Sequence, residues 1–153
     1  MKINICNVYE AYCHSRPGEF LCIETGECFS EFGEIYNTFK DEYTWLKLPK
    51  RDYNEHKRKF IKLSQIPELI SLLDISDPVN FSHHFHLWSI ELNIDDLFGH
   101  YSWLQSNREL AKWCEENNLE WIYCDPFGLN EWSIEDDVDF TDEIKKRTKG
   151  FSE

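Results

Sequence analysis

Two cysteines flank an ETGE core in the stretch FLCIETGECF, residues 20–29. A thiol pair at this spacing would make a redox couple or half of a metal clip, provided both sulfurs fell on one side. Hairpin register decides that. A two-residue turn at Thr25-Gly26, where glycine reaches positive φ at no steric cost, sets Ile23 opposite Cys28 and Cys22 opposite Phe29. Side chains alternate between sheet faces, so the two thiols would then point apart. A three-residue loop would instead bring Cys22 against Cys28. The two-residue register fits the central turn positions better, so the expectation is a tight turn and no thiol pair.

The stretch HHFHLW, residues 83–88, carries the most tempting metal signal. His83 and His86 are three apart and can share a helical face, while His84 lies elsewhere. Zinc needs three or four ligands at about 2.0–2.3 Å, and two imidazoles do not make a site. No HExxH and no CxxC completes one. The expectation is surface histidines. Cys13-His14 and His100-Tyr101-Ser102-Trp103 contain a nucleophile and bases, but a thiol needs a neighbouring base or cation to become nucleophilic. There is no GxSxG, no phosphate-binding glycine loop and no dinucleotide fingerprint, and six glycines leave little material for one. We assign no catalytic residue, no metal ligand and no cofactor on this basis.

Charge supplies the remaining candidates. The formal net charge is −13, unevenly spread. Residues 1–46 carry three bases and eight acids; residues 47–62 carry seven bases and two acids; residues 63–153 carry six bases and nineteen acids. The basic island centres on Lys57, Arg58, Lys59 and Lys62, read as a solvated helix face with Glu55 pairing Lys59 at i,i+4. An acidic chain repels phosphates, which argues against nucleic acid and permits a basic protein partner. The acids Glu135, Asp136, Asp137 and Asp139, with Trp132 beside them, are the expected binding residues, since an aromatic among carboxylates suits a cationic surface.

These groups must be positioned by a framework whose outline is legible. At 153 residues, with 41% hydrophobic and 16% aromatic content, the chain has the material for one packed domain. Ile5, Val8, Tyr9 and Tyr12 predict a helix over residues 3–14, stopped by Ser15-Arg16-Pro17-Gly18. Residues 20–23 and 28–29 form the hairpin, and residues 44–48 form a third strand ended by Pro49. Asp52 with Glu55 reads as a capping box, opening a helix with Tyr53, His56, Phe60 and Leu63 on one face. Pro67 opens a short helix with Leu69, Ile70 and Leu73 inward. Asp77-Pro78 starts another, with the stripe Phe81, Phe85, Trp88 and Leu92. Asn93 is expected to cap the next helix, with Ile94, Leu97, Phe98, Tyr101 and Leu104 inward. Ser106 with Glu109 reads as a second capping box and hence a bend. Leu110, Ala111, Trp113 and Cys114 face the core of the helix after it. Asn117-Asn118 stops that helix, and residues 119–123 return as a strand. Beyond Pro126 the pattern weakens to an acidic extension, with a short helix over residues 141–147.

In order, these parts are an N-terminal helix, the hairpin FLCIETGEC, the strand WLKLP, a capped helix ending in KFI, and RELAKWCEENNLEW leading into a strand. That order resembles a widespread family of small bacterial proteins catalogued only as uncharacterised. Its members share a leading helix, an ETGE-type hairpin, a YLPLP-like strand, an EY-containing helix and a late WCEENGIE-like segment. The resemblance covers residues 3–123 in pieces. The family carries acids where this chain has Lys57-Arg58-Lys59, and the tail after Asp125 has no counterpart in it. The resemblance implies a helix-rich α+β fold and no particular activity, cofactor or catalytic residue.

The sequence thus leads us to expect an α+β, helix-rich single domain with a small antiparallel sheet of three to four strands. Residues 1–125 form the compact part and residues 126–153 an acidic C-terminal extension. The six cysteines are scattered and no N-terminal apolar block suggests export, so free thiols and a cytoplasmic setting are expected. No run approaches the roughly 18 apolar residues of a membrane span. The functional expectation is a non-catalytic, acidic protein-interaction module binding a basic protein, inhibitor-like or immunity-like. The competing reading is a small hydrolase or transferase using His83, His86 or His100 with carboxylates.

Overall fold

The computed structural model describes residues 2–14, 19–124 and 132–149. Its architecture is the expected helix-rich α+β class. Two compact units divide the chain: Met1–Arg51 with Ser106–Leu129, and Asp52–Gln105 with Asn130–Glu153.

In the first unit, β1 (Ile3–Asn4) pairs in parallel with β5 (Trp121–Ile122), Ile3 against Trp121. The helix expected from residue 3 therefore starts later, as α1 (Ile5–His14). Asn4 explains the boundary. Its side-chain oxygen accepts from the Cys6 N–H at 3.2 Å, capping α1, and from the Cys124 N–H at 3.3 Å, tying down the chain after β5. Ile5, Val8 and Tyr12 are buried at helical spacing, as read.

The antiparallel sheet has the order β3-β2-β4, from β2 (Glu19–Cys22), β3 (Cys28–Ser30) and β4 (Trp45–Lys47). Its register differs from the expected one, because Cys28 lies opposite Leu21 rather than Ile23. A longer loop causes the shift. Cys22 N–H donates to the Glu27 carbonyl at 2.9 Å, and the Gly26 N–H, at φ 75°, folds back to the Cys22 carbonyl at 2.8 Å. The displacement is two residues, so face parity survives and Cys22 and Cys28 still point to opposite sides. The first glutamate of ETGE is a brace: both Glu24 carboxylate oxygens accept from the Thr44 N–H, at 2.8 and 2.9 Å, at the entry to β4. Those bonds hold its carboxyl below the usual range. One face of the sheet is aromatic and is covered by α2 (Glu34–Phe39), which periodicity did not suggest. There Tyr36 stacks on Phe20 and meets the Trp45 ring edge-on, each at 5.0 Å.

The second unit is helical. Asp52 caps α3 (Tyr53–Ser64) by accepting from the Glu55 N–H at 3.0 Å, as expected. The buried stripe is rotated from the expected one. It comprises His56, Lys57, Phe60, Ile61 and Ser64, whereas Tyr53 and Leu63 are exposed. After α4 (Pro67–Ile70) the chain tightens into a 3-10 turn at Ser71–Asp74. That change of period buries Leu69 and Leu72 and leaves Ile70 outside, against expectation. Asp77 caps α5 (Pro78–Glu91), which buries Phe81, Phe85 and Ser89 and half-buries Trp88. The expected bend at Ser106 is absent: α6 (Asp95–Glu116) is continuous, and Ser106 lies fully buried within it. The helix gives its residues through Gln105 to this unit and the rest to the first. Finally, α7 (Phe140–Arg147) buries Phe140 and Ile144 against this unit's core.

Asn93 does not cap α6. It stands at φ 59° and ends α5, while the Ile94 N–H reaches back to the Ser89 carbonyl at 2.9 Å. Asn118, at φ 58°, ends α6 in the same way, with Leu119 N–H on the Cys114 carbonyl. Gln65, at φ 57°, ends α3. A glutamine has no side-chain reason to prefer this left-handed conformation. Gln65→Gly is expected to raise stability by about 0.5–1 kcal/mol, measured as a higher urea midpoint at unchanged slope. An unchanged midpoint would show that the left-handed conformation costs nothing there. No described helix is long and apolar enough to cross a membrane.

Candidate functional site

The first unit contains a cavity of about 540 Å³ between α1 and the β2–β3 hairpin. From α1 come Cys6, Asn7, Glu10 and Ala11, at the spacing of one helical face turned away from the Ile5–Val8–Tyr12 stripe. From the hairpin come Glu19, Glu27 and Cys28. Three carboxylates and two thiols thus surround one hollow, and among the described residues no basic side chain lines it. Glu19 shares the sheet face of Leu21 and Cys28, the face that α1 crosses. Burial, then the Glu19 charge, pushes the Cys28 thiol up to about 12, so that it stays protonated at neutral pH. Among the described residues no group of three or more His, Cys, Asp or Glu is arranged to hold a metal ion. What the arrangement can do chemically is concentrate negative potential over a concave surface.

Behind α1 lies a second polar cluster of the same unit. The Tyr12 hydroxyl donates to the Glu109 carboxylate. Arg51 sets one guanidinium nitrogen 3.2 Å from the Cys13 sulfur and the other 3.0 Å from the Cys13 carbonyl. A cation beside a thiol is a condition for nucleophilicity, but burial wins here. Desolvation lifts the Cys13 thiol despite the opposing influence of Tyr9, Arg51 and Ser106. Burial and then Glu109 likewise push the Tyr12 phenol far up. Both groups are held neutral, which suits a structural role.

The acidic tail that the sequence nominated is on the second unit. Glu135, Asp136, Asp137 and Asp139 are all exposed. Two of them serve the backbone: Asp136 accepts from the Ser133 N–H at 2.7 Å, and Asp139 caps α7 by accepting from Asp142 N–H at 3.1 Å. Trp132 is half-buried rather than freely presented, its ring edge-on to Phe140 at 5.3 Å and to His100 at 5.7 Å.

The histidines do not converge. His83, His84 and His86 are exposed along α5, with the first two rings 5.8 Å apart. His56 is buried with its Nδ1 3.0 Å from the Ser102 hydroxyl. The basic island is solvated at Lys59 and Lys62, as expected, but not at Lys57. Lys57 is 7% exposed, its ammonium donating to the Ser82 hydroxyl at 2.7 Å and lying 4.6 Å from the centre of the Tyr53 ring. Glu55 meets Arg58 at 3.9 Å instead of Lys59.

The cavity carboxylates Glu10, Glu19 and Glu27 were missed from sequence. One signal was present: Cys6, Asn7, Glu10 and Ala11 repeat at i, i+1, i+4 and i+5, a second organised face of α1. Nothing local says that a hairpin 10 to 20 residues later closes over that face. The fold and site together define a helix-rich α+β chain with a concave acidic surface. No family model, no curated protein and no solved structure matches this chain.

Proposed function

We propose that this chain is a non-catalytic, acidic protein-interaction module, inhibitor-like or immunity-like, that binds a basic protein surface. A cationic side chain of the partner enters the cavity between α1 and the β2–β3 hairpin. The carrying observation is the hollow of about 540 Å³ walled by Glu10, Glu19 and Glu27, with no basic side chain among its described lining residues. Carboxylates of one sign gathered around a concavity attract a cation more strongly than the same charges spread over a convex surface. Arginine suits such a site best, because its planar fork of donors can engage two carboxylates and its guanidinium is weakly hydrated. The volume falls within the range of small-ligand sites. The tail acids add long-range attraction through net charge, while Asp136 and Asp139 are occupied in local backbone bonds.

Calorimetric titration with a hexa-arginine peptide tests this reading. Glu10→Gln, Glu19→Gln and Glu27→Gln combined should weaken binding at least about tenfold, the loss of one strong charge-assisted contact. Glu135→Gln with Asp137→Asn should weaken it less than about threefold, as expected for screened rim charges. The opposite ranking, or equal affinity for hexa-glutamine, would overturn the assignment.

A further inference from the structure

Helix α5 carries a second organised face besides the one it buries. Phe81, Phe85 and Ser89 face the core. Turned away from them, Val79, His83, His86 and Ile90 fall within about 60° of helical arc, and all four are exposed. Val79 is 75% exposed and Ile90 53%, with Leu87 at 50% on the edge of the stripe. Aliphatic residues gathered in one stripe mark an interaction surface more strongly than the same residues scattered.

From Pro78 to Ile90 the helix carries no Asp, Glu, Lys or Arg, in a chain whose formal net charge is −13. Like-charged chains repel, so a face without acids is where a second copy approaches at least cost. The stripe also has the symmetry that such an approach needs. The spacings from Val79 to His83, His86 and Ile90 are four, three and four residues, the same read in either direction. A two-fold axis between positions 84 and 85 therefore sets Val79 on the partner's Ile90 and His83 on the partner's His86, an antiparallel isologous pair. The positive end of each helix dipole then lies beside the negative end of the other.

Four imidazoles meet at the centre of that pair, between two aliphatic contacts. Helical residues three apart have Cβ atoms about 5–6 Å from each other, so each chain offers two ligands from one side. Two are too few for zinc, and among the described residues no third His, Cys, Asp or Glu of the same chain joins them. The second copy brings the set to the four that tetrahedral zinc requires. A divalent cation at this place also offsets the repulsion between two acidic chains.

We infer that α5 is a zinc-dependent dimer interface, in which His83 and His86 of two copies bind one zinc ion between the paired Val79 and Ile90 side chains. The inference uses no residue of the acidic cavity, so either reading can fail alone.

Sedimentation velocity of the untagged full chain, first with EDTA and then with rising zinc chloride, is the test. The chain should be a monomer in EDTA and a dimer with zinc, the dimer being complete at one zinc per two chains. His83→Ala and His86→Ala each strip two of the four ligands. Losing even an outer hydrogen-bond partner of a ligand costs about 10–100-fold, so each variant should weaken zinc-driven dimerisation at least about a hundredfold. Both positions are exposed, so both variants should keep the parent's urea midpoint in EDTA. His84, about 100° further round the helix, is the control: His84→Ala should dimerise as the parent does. Cobalt(II) in place of zinc should give the visible absorption of tetrahedral nitrogen ligation without a thiolate charge-transfer band, which separates these imidazoles from the exposed Cys124. A monomer at saturating zinc, one zinc bound per chain, a thiolate band, or dimerisation that survives His83→Ala with His86→Ala would each overturn the inference.

Discussion

Phe60→Ala is expected to destabilise the protein by about 3–5 kcal/mol, the range for deleting a fully buried aromatic ring. Phe60 is 0% exposed and sits at the centre of the second unit's aromatic cluster. Its ring lies 5.2 Å from Tyr101, 5.3 Å from Phe98 and 6.4 Å from Phe85. Truncation removes the transfer free energy of the ring, its edge-to-face contacts with Phe85 and Phe98 and its tilted contact with Tyr101. The cavity left behind is lined by rings that cannot collapse into it without leaving their own packing. Phe60→Leu, which keeps most of the volume, should cost distinctly less, about 1–2 kcal/mol. Urea unfolding of both variants decides the matter. Equal losses would mean that the site relaxes and that the ring contacts contribute little.

Alkaline conditions should produce the second large effect. Burial, then the Glu19 charge, pushes the Cys28 thiol up to about 12. Burial, then Glu115, pushes Cys114, which is 1% exposed, up to about 11. In the unfolded chain both titrate near their ordinary value of about 8.5. Between those limits the folded state binds more protons than the unfolded one, so stability falls as pH rises. The contribution is complete below about 8.5 and disappears as pH rises through 11 and 12. Each pH unit within the window costs about 1.4 kcal/mol per thiol. Solvent access to the half-buried Cys28 reduces the total, leaving a loss on the order of 3 kcal/mol between pH 7 and pH 10.5.

Lysines and tyrosines also titrate at the upper end, so the decisive quantity is a difference. Cys28→Ala with Cys114→Ala should show a shallower decline of urea midpoint with pH than the parent chain. Parallel declines would sink the attribution to thiols. Alkylation gives an independent check. Cys124 is exposed and should react with iodoacetamide at pH 8 in the folded protein. Cys28 should react roughly a thousandfold more slowly, in proportion to its thiolate fraction.

Local signals decided the local structure. Asp52 and Asp77 cap the helices that their spacing announced, because a cap needs only a short side chain and an N–H three residues on. Gly26 takes the positive φ that a tight connection requires. Cys22 and Cys28 lie on opposite faces even though the pairing slipped by two residues, since alternation depends on parity and not on loop length. A helical wheel placed His56 and Phe60 inside correctly and missed Lys57, because a wheel treats an ammonium as wet. The Ser82 hydroxyl and the Tyr53 ring that let Lys57 stay inside come from elsewhere in the chain or from its own helix turn.

From the sequence alone came the helix-rich α+β class, most helix starts, the acidic balance and the separation of the paired cysteines. All of these follow from spacings shorter than about two helical turns, where backbone geometry fixes which side chains meet. Tertiary structure decided the rest: the parallel pairing of Ile3 with Trp121, the unbroken helix through Ser106, and the acidic cavity. The pairing and the cavity join residues that no local periodicity relates, and α6 runs on through Ser106 because that residue is buried rather than presented as a cap. Folding brings Glu10 to Glu27 by burying the apolar faces behind them, and the charge of the resulting hollow is set by which residues those faces leave at the rim.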